Sequence, residues 1–530
     1  MQRLVDRIAE AFVAAAGLAV VLLACSSRAV AAPESAPPAA SQAAPQASPD
    51  DSAVDSPHLD GPRTVQLPAP ADEVIPAGGG RYLLLRIDKL AKLAVYDVAQ
   101  DRIKGYVPLG STDTLVAGGL DTIVLVSRDK NVIQRWKIEP LEKELTVALV
   151  VAQVDGVALG HASHGPVLVM TRGGPQFFSL STLKPIDLSF SGPNGMGDWR
   201  PHPQYPIYVA ASADGQSFAG WYRGLSPPGL RLIHIQGDTI VARHEHDGAG
   251  TLLPSWDGSQ VFTRNGVLSA DLKPLGADQF RQKTCIPTYR PGYFLTVTVP
   301  DPYRNPNGGV KNAGATLSIY STSDRSMLVT LPPMPEVTVP RDSYANAPGT
   351  LEWQERIFLV PQHQRLVTVA DTRDQLVIRP FDMVETLEHA GIDYLFVDSL
   401  PVTVADPGKV YQYPIVVQSK KGGIKFSLDS GPQGMKLSKD GVLTWPVPAN
   451  FDPGPTGVIV TIEDTSGQNV FHTFNIQVNP NPSRPGATAK KIELGPDPYH
   501  GYSRGQGNGP PPVVRAVKKP SKASSSAKTD

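Results

Sequence analysis

The sequence predicts an all-β protein, with a propeller of about seven blades followed by a β-sandwich. Three observations carry this prediction. Gly and Pro number 48 and 52 of 530 residues, well above the roughly 12% of average usage. A phrase of turn and apolar strand recurs every 47 residues between about 64 and 392. After residue 392 that phrase stops, and a different series of short alternating strands begins. Charged residues are 19% and hydrophobic residues 41%. That balance argues against coiled coils and helix bundles, which are rich in Ala, Glu, Lys and Leu. A single short apolar run argues against a polytopic membrane protein.

Residues 1–31 read as an export signal. Arg3 and Arg7 precede an uncharged 14-residue run, Ala11 to Ala24, shorter than the ~20 residues a bilayer span needs. Two cleavage readings stay open. Ala29-Val30-Ala31 suits a signal peptidase that selects small residues. Leu22-Leu23-Ala24-Cys25 resembles a lipobox, which makes Cys25 a candidate for lipidation and membrane anchorage. Residues 32–62 form a Pro/Ala-rich linker with five acids and no base, expected to be a solvated, disordered tether. With Cys25 in the signal, Cys285 is the remaining thiol. Ile286 and Pro287 beside it predict a buried small hydrophobe.

The repeat, residues 63–392, opens each copy with a turn that leads into an apolar strand. The copies start at Gly78, Gly118, His161, Arg200, Pro254, Tyr289 and Pro361. Leu84 and Leu366 sit 282 residues apart over six steps, a period that suits a four-stranded propeller blade. A second strand follows in each copy, from Leu93–Asp97 to Leu376–Arg379. A third includes Ile103 to Val107, Ile186 to Leu188 and Val384 to Leu387. Asp214–Gly229 and Pro300–Gly314 read as insertions in the fourth and sixth copies, places where a rigid propeller can present ligand contacts. Thr64-Val65-Gln66-Leu67-Pro68 resembles the third strand of a copy, so the N-terminal strand is expected to close the ring. Radial repetition of this kind hides sheet edges.

These phrases resemble the Tyr-Val-Thr-Asn-type and WD-repeat-like bacterial propellers. Asp257-Gly258 matches their Asp-Gly turn, and Tyr96-Asp97 their aromatic-Asp strand ending. Residues 393–480 carry Gly431-Pro-Gln-Gly-Met-Lys-Leu437, Gly441-Val-Leu-Thr-Trp445 and Ile462-Glu-Asp464-Thr-Ser-Gly467. That order resembles the Putative Ig, cadherin-like domains of bacterial surface proteins and implies an Ig-like sandwich with Trp445 in a disulfide-free core. Alternation places Phe474, Ile476 and Val478 on one face. Cadherin-like neighbours imply calcium at an Asp near Asp464, and Glu463 adds a second carboxylate. A hairpin turn explains the pair equally well. Residues 481–530 are a basic tail with nine Lys or Arg against three acids, expected to be disordered.

No phosphate loop, nucleophile elbow or paired-Cys zinc site is present. Gly215-Gln-Ser-Phe-Ala-Gly220 misses the Gly-x-Ser-x-Gly spacing by one residue. His244 and His246 share a strand face at a spacing that zinc sites use, and a solvated strand end accounts for them as well. His161 and His164 occupy a turn. Trp136, Trp199, Trp221, Trp256 and Trp353 are the residues with which a propeller enzyme would stack a cofactor, although packing is their default role. No residue is assigned to catalysis, a cofactor or a metal. The chain is therefore expected to be an extracytoplasmic binding or scaffold protein for a protein or cell-surface polysaccharide, with no nucleic-acid partner. A lactonase-like or quinoprotein-dehydrogenase-like enzyme is the alternative.

Overall fold

The computed structural model describes residues 61–479 except 152, 192–198, 200–201, 203, 223–224, 282, 300–313 and 339–349. The signal, Cys25, all but Gly61 and Pro62 of the linker, the tail and all but Gly314 of the Pro300–Gly314 insertion lie outside the described residues.

Seven antiparallel sheets follow one another along the chain, each with its first strand innermost. Blade 1 runs Glu73–Ala77, Tyr82–Ile87, Lys92–Asp97 and Arg102–Pro108. Blade 2 runs Thr114–Gly118, Thr122–Ser127, Val132–Lys137 and Glu142–Ala148. Blade 3 runs Val154–Ala158, Val167–Thr171, Gly174–Phe178 and Pro185–Ile186. Blade 4 runs Ile207–Ala211, Ser217–Tyr222, Leu230–Gln236 and Thr239–Glu245, with Ser189–Ser191 parallel along its outer edge. Blade 5 runs Leu252–Pro254, Gln260–Thr263, Gly266–Ser269 and Pro274–Leu275. Blade 6 runs Thr284–Pro287, Tyr293–Thr298, Thr316–Ser321 and Met327–Thr330.

Blade 7 has three strands of its own, Ile357–Val360, Arg365–Val369 and Gln375–Pro380. Its outer strand is Arg63–Gln66, in register Val65 to Leu376. The ring thus closes with the start of the propeller segment, as the sequence suggests. Val384–Leu387 is not a strand. Asp382 accepts from the Glu385 amide at 2.9 Å and caps a helix, Met383–His389. Met383 and Leu387, one turn apart, are the buried pair.

The fourth copy also differs from its reading. The strand ending the Arg200 phrase is the innermost of blade 4, and the supposed insertion holds the second strand, Ser217–Tyr222. Its apolar signal is weak because Gly220 lies under Trp199. A Cβ on Gly220 would meet the indole at 2.8 Å. The third copy's outer strand stops at Ile186, and the chain then joins blade 4.

Aromatic and branched side chains of the second and third strands fill the spaces between blades. Phe262, Phe294 and Tyr320 stack in series between blades 5 and 6, at 4.9 and 5.3 Å between ring centres. Cys285 is fully buried on the inner strand of blade 6, and burial pushes its thiol up to about 12. It is inert packing.

The C-terminal domain is two facing sheets. One joins Val404–Ala405, Asn469–Val478, Gly454–Glu463 and Lys425–Ser430; the other joins Val410–Pro414, Val442–Pro446 and Lys436–Leu437. Phe474, Ile476 and Val478 point inward, and Trp445 is fully buried with its Nε1 donating to the Gln433 carbonyl at 3.2 Å.

The seam between blades 7 and 1 is held by charge. Arg365 bonds both carboxylate oxygens of Asp101 at 3.1–3.3 Å, and both side chains are almost fully buried. Arg63 of the closing strand donates to the Asp101 carbonyl at 2.7 Å. Removing one partner of such a pair strands a buried charge and costs about 3–5 kcal/mol, whereas replacing both with apolar groups costs far less. Arg365→Ala is therefore expected to lower unfolding free energy by about 3–5 kcal/mol in denaturant titration. The Asp101→Leu/Arg365→Leu double variant should recover most of that loss.

Candidate functional site

Turns between first and second strands converge on the ring axis at one face. Hydrogen bonds join most of them to the neighbouring blade. Gly78 N donates to Gly119 O at 2.9 Å, Leu120 N to Ser163 O at 3.0 Å and Ala162 N to Ala213 O at 2.9 Å. Asp214 N donates to Trp256 O at 3.1 Å, and Tyr289 N to Leu359 O at 3.1 Å. Gln362 Nε2 returns to Gly79 O at 2.7 Å, and Gly79 N crosses the hub to His161 O at 2.8 Å.

Side chains fill what the backbone leaves. The His161 ring packs on Trp256 at 5.5 Å and on Tyr289 at 5.1 Å, joining blades 3, 5 and 6 across the axis. Gly80 admits Tyr289. It holds φ 100°, and any Cβ there would lie 2.5 Å from the tyrosine. Burial lowers the His161 pKa to about 3, so the imidazole is neutral. Of the five tryptophans named from sequence, Trp256 is the one whose ring reaches this hub. Trp199 and Trp221 are buried in blade 4, Trp136 lies on the third strand of blade 2, and Trp353 stacks with Arg356.

The opposite end of the axis is occupied by the segment before blade 7. Its short 3-10 turn, Trp353–Glu355, lies against the inner strands of blades 1, 6 and 7. Leu351 is buried beside it, and Glu352 pairs with Arg264 of blade 5.

On that same face an arginine at or near the end of the second strand pairs with a neighbouring carboxylate, in most cases one at the entry to an inner strand. Arg86 reaches Glu73 at 3.4 Å and Asp88 at 2.7 Å, and Arg128 pairs with Asp113. Arg373 reaches Asp72 at 3.4 Å. Sequence reading missed this device. Its signal is an Arg at or just after the end of the second strand, at Arg86, Arg128, Arg172 and Arg264.

The lead-in to the C-terminal domain lies across the hub face. Leu395–Val397 pairs with Val417–Ser419 of the sandwich, yet Phe396 packs on Tyr293 of blade 6 at 6.0 Å. The Arg290 guanidinium stacks on Phe396 at 4.3 Å and donates to Val397 O at 3.0 Å and Asp398 Oδ1 at 2.7 Å. Leu400 sits over Gly79, 3.3 Å from where a Cβ would be. Arg290 is 6% exposed, so this joint is packed rather than hinged.

The remaining candidates are dispersed. His244 ends the outer strand of blade 4, and His246 lies exposed just beyond it. His161 and His164 share a turn, but only His161 turns inward; His164 contacts Asp121 at 3.4 Å. Asp464 has both oxygens engaged, one by Ser419 at 2.7 Å and the other by the Ser466 amide at 2.8 Å. Burial raises its pKa, but these hydrogen bonds outweigh that and hold it low overall. Glu463 points to the outer face of its strand, away from this turn.

Residues 394–479 match the family model described as Putative Ig domain, He_PIG. Solved structures similar to this chain include three propellers. The Cps50 (Swd1) β-propeller domain of Myceliophteria thermophila has 13% identity and TM-score 0.38, covering 60% of this chain and 97% of that one. The RRP9 WD40 repeats have 10% identity and TM-score 0.41, covering 61% and 98%. U3-55K has 10% identity and TM-score 0.40, covering 61% and 100%. No curated protein matches the chain. The chain joins a seven-bladed β-propeller, built on its own strand registers, to a C-terminal Ig-like domain.

The hub generates a pH prediction. Burial first, and then the Asp257 charge, raise the Asp214 pKa to about 6 from 3.8. The folded state then holds a proton that the unfolded state releases, so this contribution is full below about pH 4 and lost as pH rises through 6. Asp214→Asn keeps an acceptor for Ser212 and the Gln216 amide. Its melting temperature is expected to match the parent near pH 4 and exceed it at pH 8, as measured by thermal denaturation across that range.

Proposed function

We propose that this chain is a non-enzymatic, extracytoplasmic binding or scaffold protein. Residues 1–31 act as its export signal. The propeller offers one face to a partner, and the Ig-like domain is docked on the other. The supporting observation is how the two faces differ. On the hub face the connections are short, and the chain's own Arg290–Asp398 joint covers part of them. On the opposite face the turns between second and third strands carry exposed charged side chains, Lys89 in blade 1 and Lys130 in blade 2. Loops held on a rigid scaffold are where recognition usually resides. At the hub, the His161 ring packs on Trp256 and Tyr289, and among the described residues no carboxylate is hydrogen-bonded to it as a general base would need.

Two measurements test this reading. Mass spectrometry of the exported protein is expected to find a chain beginning at Ala32 or at an acylated Cys25; a protein retained in the cytoplasm with Met1 intact contradicts export. A photo-crosslinking residue placed at exposed Lys89 or Lys130, on the face opposite the hub, is expected to capture a partner in cells. The same residue at exposed Gln364 or Ser181, on the hub face, is expected to capture none. Capture from the second pair alone contradicts the assignment.

A further inference from the structure

Arg290 carries a buried charge that its own domain does not satisfy. It follows the inner strand of blade 6, Thr284–Pro287, and is 6% exposed. Its Nε is buried without an acceptor among the described residues. The hydrogen bonds that its guanidinium makes there both run from Nη2 to the lead-in. One reaches the Val397 carbonyl at 3.0 Å and the other Asp398 Oδ1 at 2.7 Å. Without those acceptors the buried guanidinium would be a costly unpaired charge.

Asp398 is shared between the two domains. Its Oδ2 accepts from Gln418 Nε2 of the sandwich at 2.9 Å, and its amide donates to the Val416 carbonyl at 2.7 Å. One carboxylate oxygen thus serves the propeller and the other the sandwich. Apolar packing takes the same route. Tyr394 and Phe396 lie in one core cluster with Tyr293, Phe294 and Leu295 of blade 6 and with Met383 and Leu387 of the helix. Phe396 is also part of the strand that pairs with Val417–Ser419. The Tyr394 hydroxyl donates to Glu388 Oε1 at 3.0 Å, while its carbonyl accepts from the Lys420 amide at 3.0 Å. Residues 394, 396 and 398 therefore each engage both sides.

We propose that Asp398 is a latch that makes the propeller and the Ig-like domain one cooperative unit, in which neither opens while the other stays intact. Domains joined through small, polar interfaces move and melt separately. Here the sandwich cannot leave the hub face without stripping Arg290 of both acceptors and drawing two aromatic side chains out of the core beside blade 6. Conversely, blade 6 cannot loosen without releasing the carboxylate that holds Gln418. A consequence is that a partner bound to either domain stabilises both. The latch does not depend on which face takes the partner.

The test is scanning calorimetry of the full chain at neutral pH. One transition is expected, with a van 't Hoff enthalpy equal to the calorimetric one. Asp398→Ala removes the latch and no core side chain of either domain. It is expected to split the transition in two, about 5 °C or more apart. Asp398→Asn keeps an oxygen for Arg290, and the Gln418 amide can turn to accept from it, so a single transition should remain. Native-state hydrogen exchange gives a second reading. The Leu295 and Val460 amides should open with equal free energy in the parent and unequal free energy in Asp398→Ala. Two transitions or unequal opening in the parent overturns the proposal even if the Ala variant does not fold. An Asp398→Ala chain that still melts as one unit overturns it as well.

Discussion

Everything in the propeller depends on the closure of blade 7 by a strand that lies some 300 residues upstream of it. Val65 sits opposite Leu376, and the Asp101–Arg365 pair is sealed at the same seam. A blade of three strands would leave Gln375–Pro380 as an open edge, ready to pair with another chain. With the closing strand in place, each inner strand is held at a fixed distance from the axis. The hub can then be packed to the closeness seen between Gly80 and Tyr289.

The two ends of the axis follow from that geometry. At one end, turns of neighbouring blades bond to one another, and a neutral imidazole is trapped between aromatic rings. At the other end, the segment Leu351–Arg356 crosses between inner strands and is pinned by Arg264. Because the Ig-like domain is joined to the hub face by the buried Arg290, the two faces of the ring are chemically different. The asymmetry comes from where the chain leaves the last blade. The strand Gln375–Pro380 ends on the hub side, so the following domain is delivered there.

Much of this fold was legible in sequence because the relevant signals are local and repeated. The period located the second and third strands of most blades. The Tyr96-Asp97 ending has a plain cause, since Asp97 Oδ1 accepts from the Ala99 and Gln100 amides and turns the chain. The failures are equally physical. Ser217–Tyr222 was hidden because a strand lying under Trp199 must be small where the ring sits. Val384–Leu387 looked like a strand because four residues cannot distinguish periods of 2 and 3.6, whereas Asp382 as an N-cap does. His161 was legible as a turn residue but not as the hub's central ring. What surrounds it comes from blades 5 and 6, about a hundred residues away.

The central claim, that the N-terminal strand completes blade 7, is tested most directly by native-state hydrogen exchange at the Gln375–Arg379 amides. Exchange in the intact chain should be as slow there as in Arg365–Val369. A chain lacking residues 61–68 should exchange those amides bonded to the closing strand at rates typical of an open sheet edge. Fast exchange in the intact chain, or protection that survives the deletion, would contradict closure by this strand.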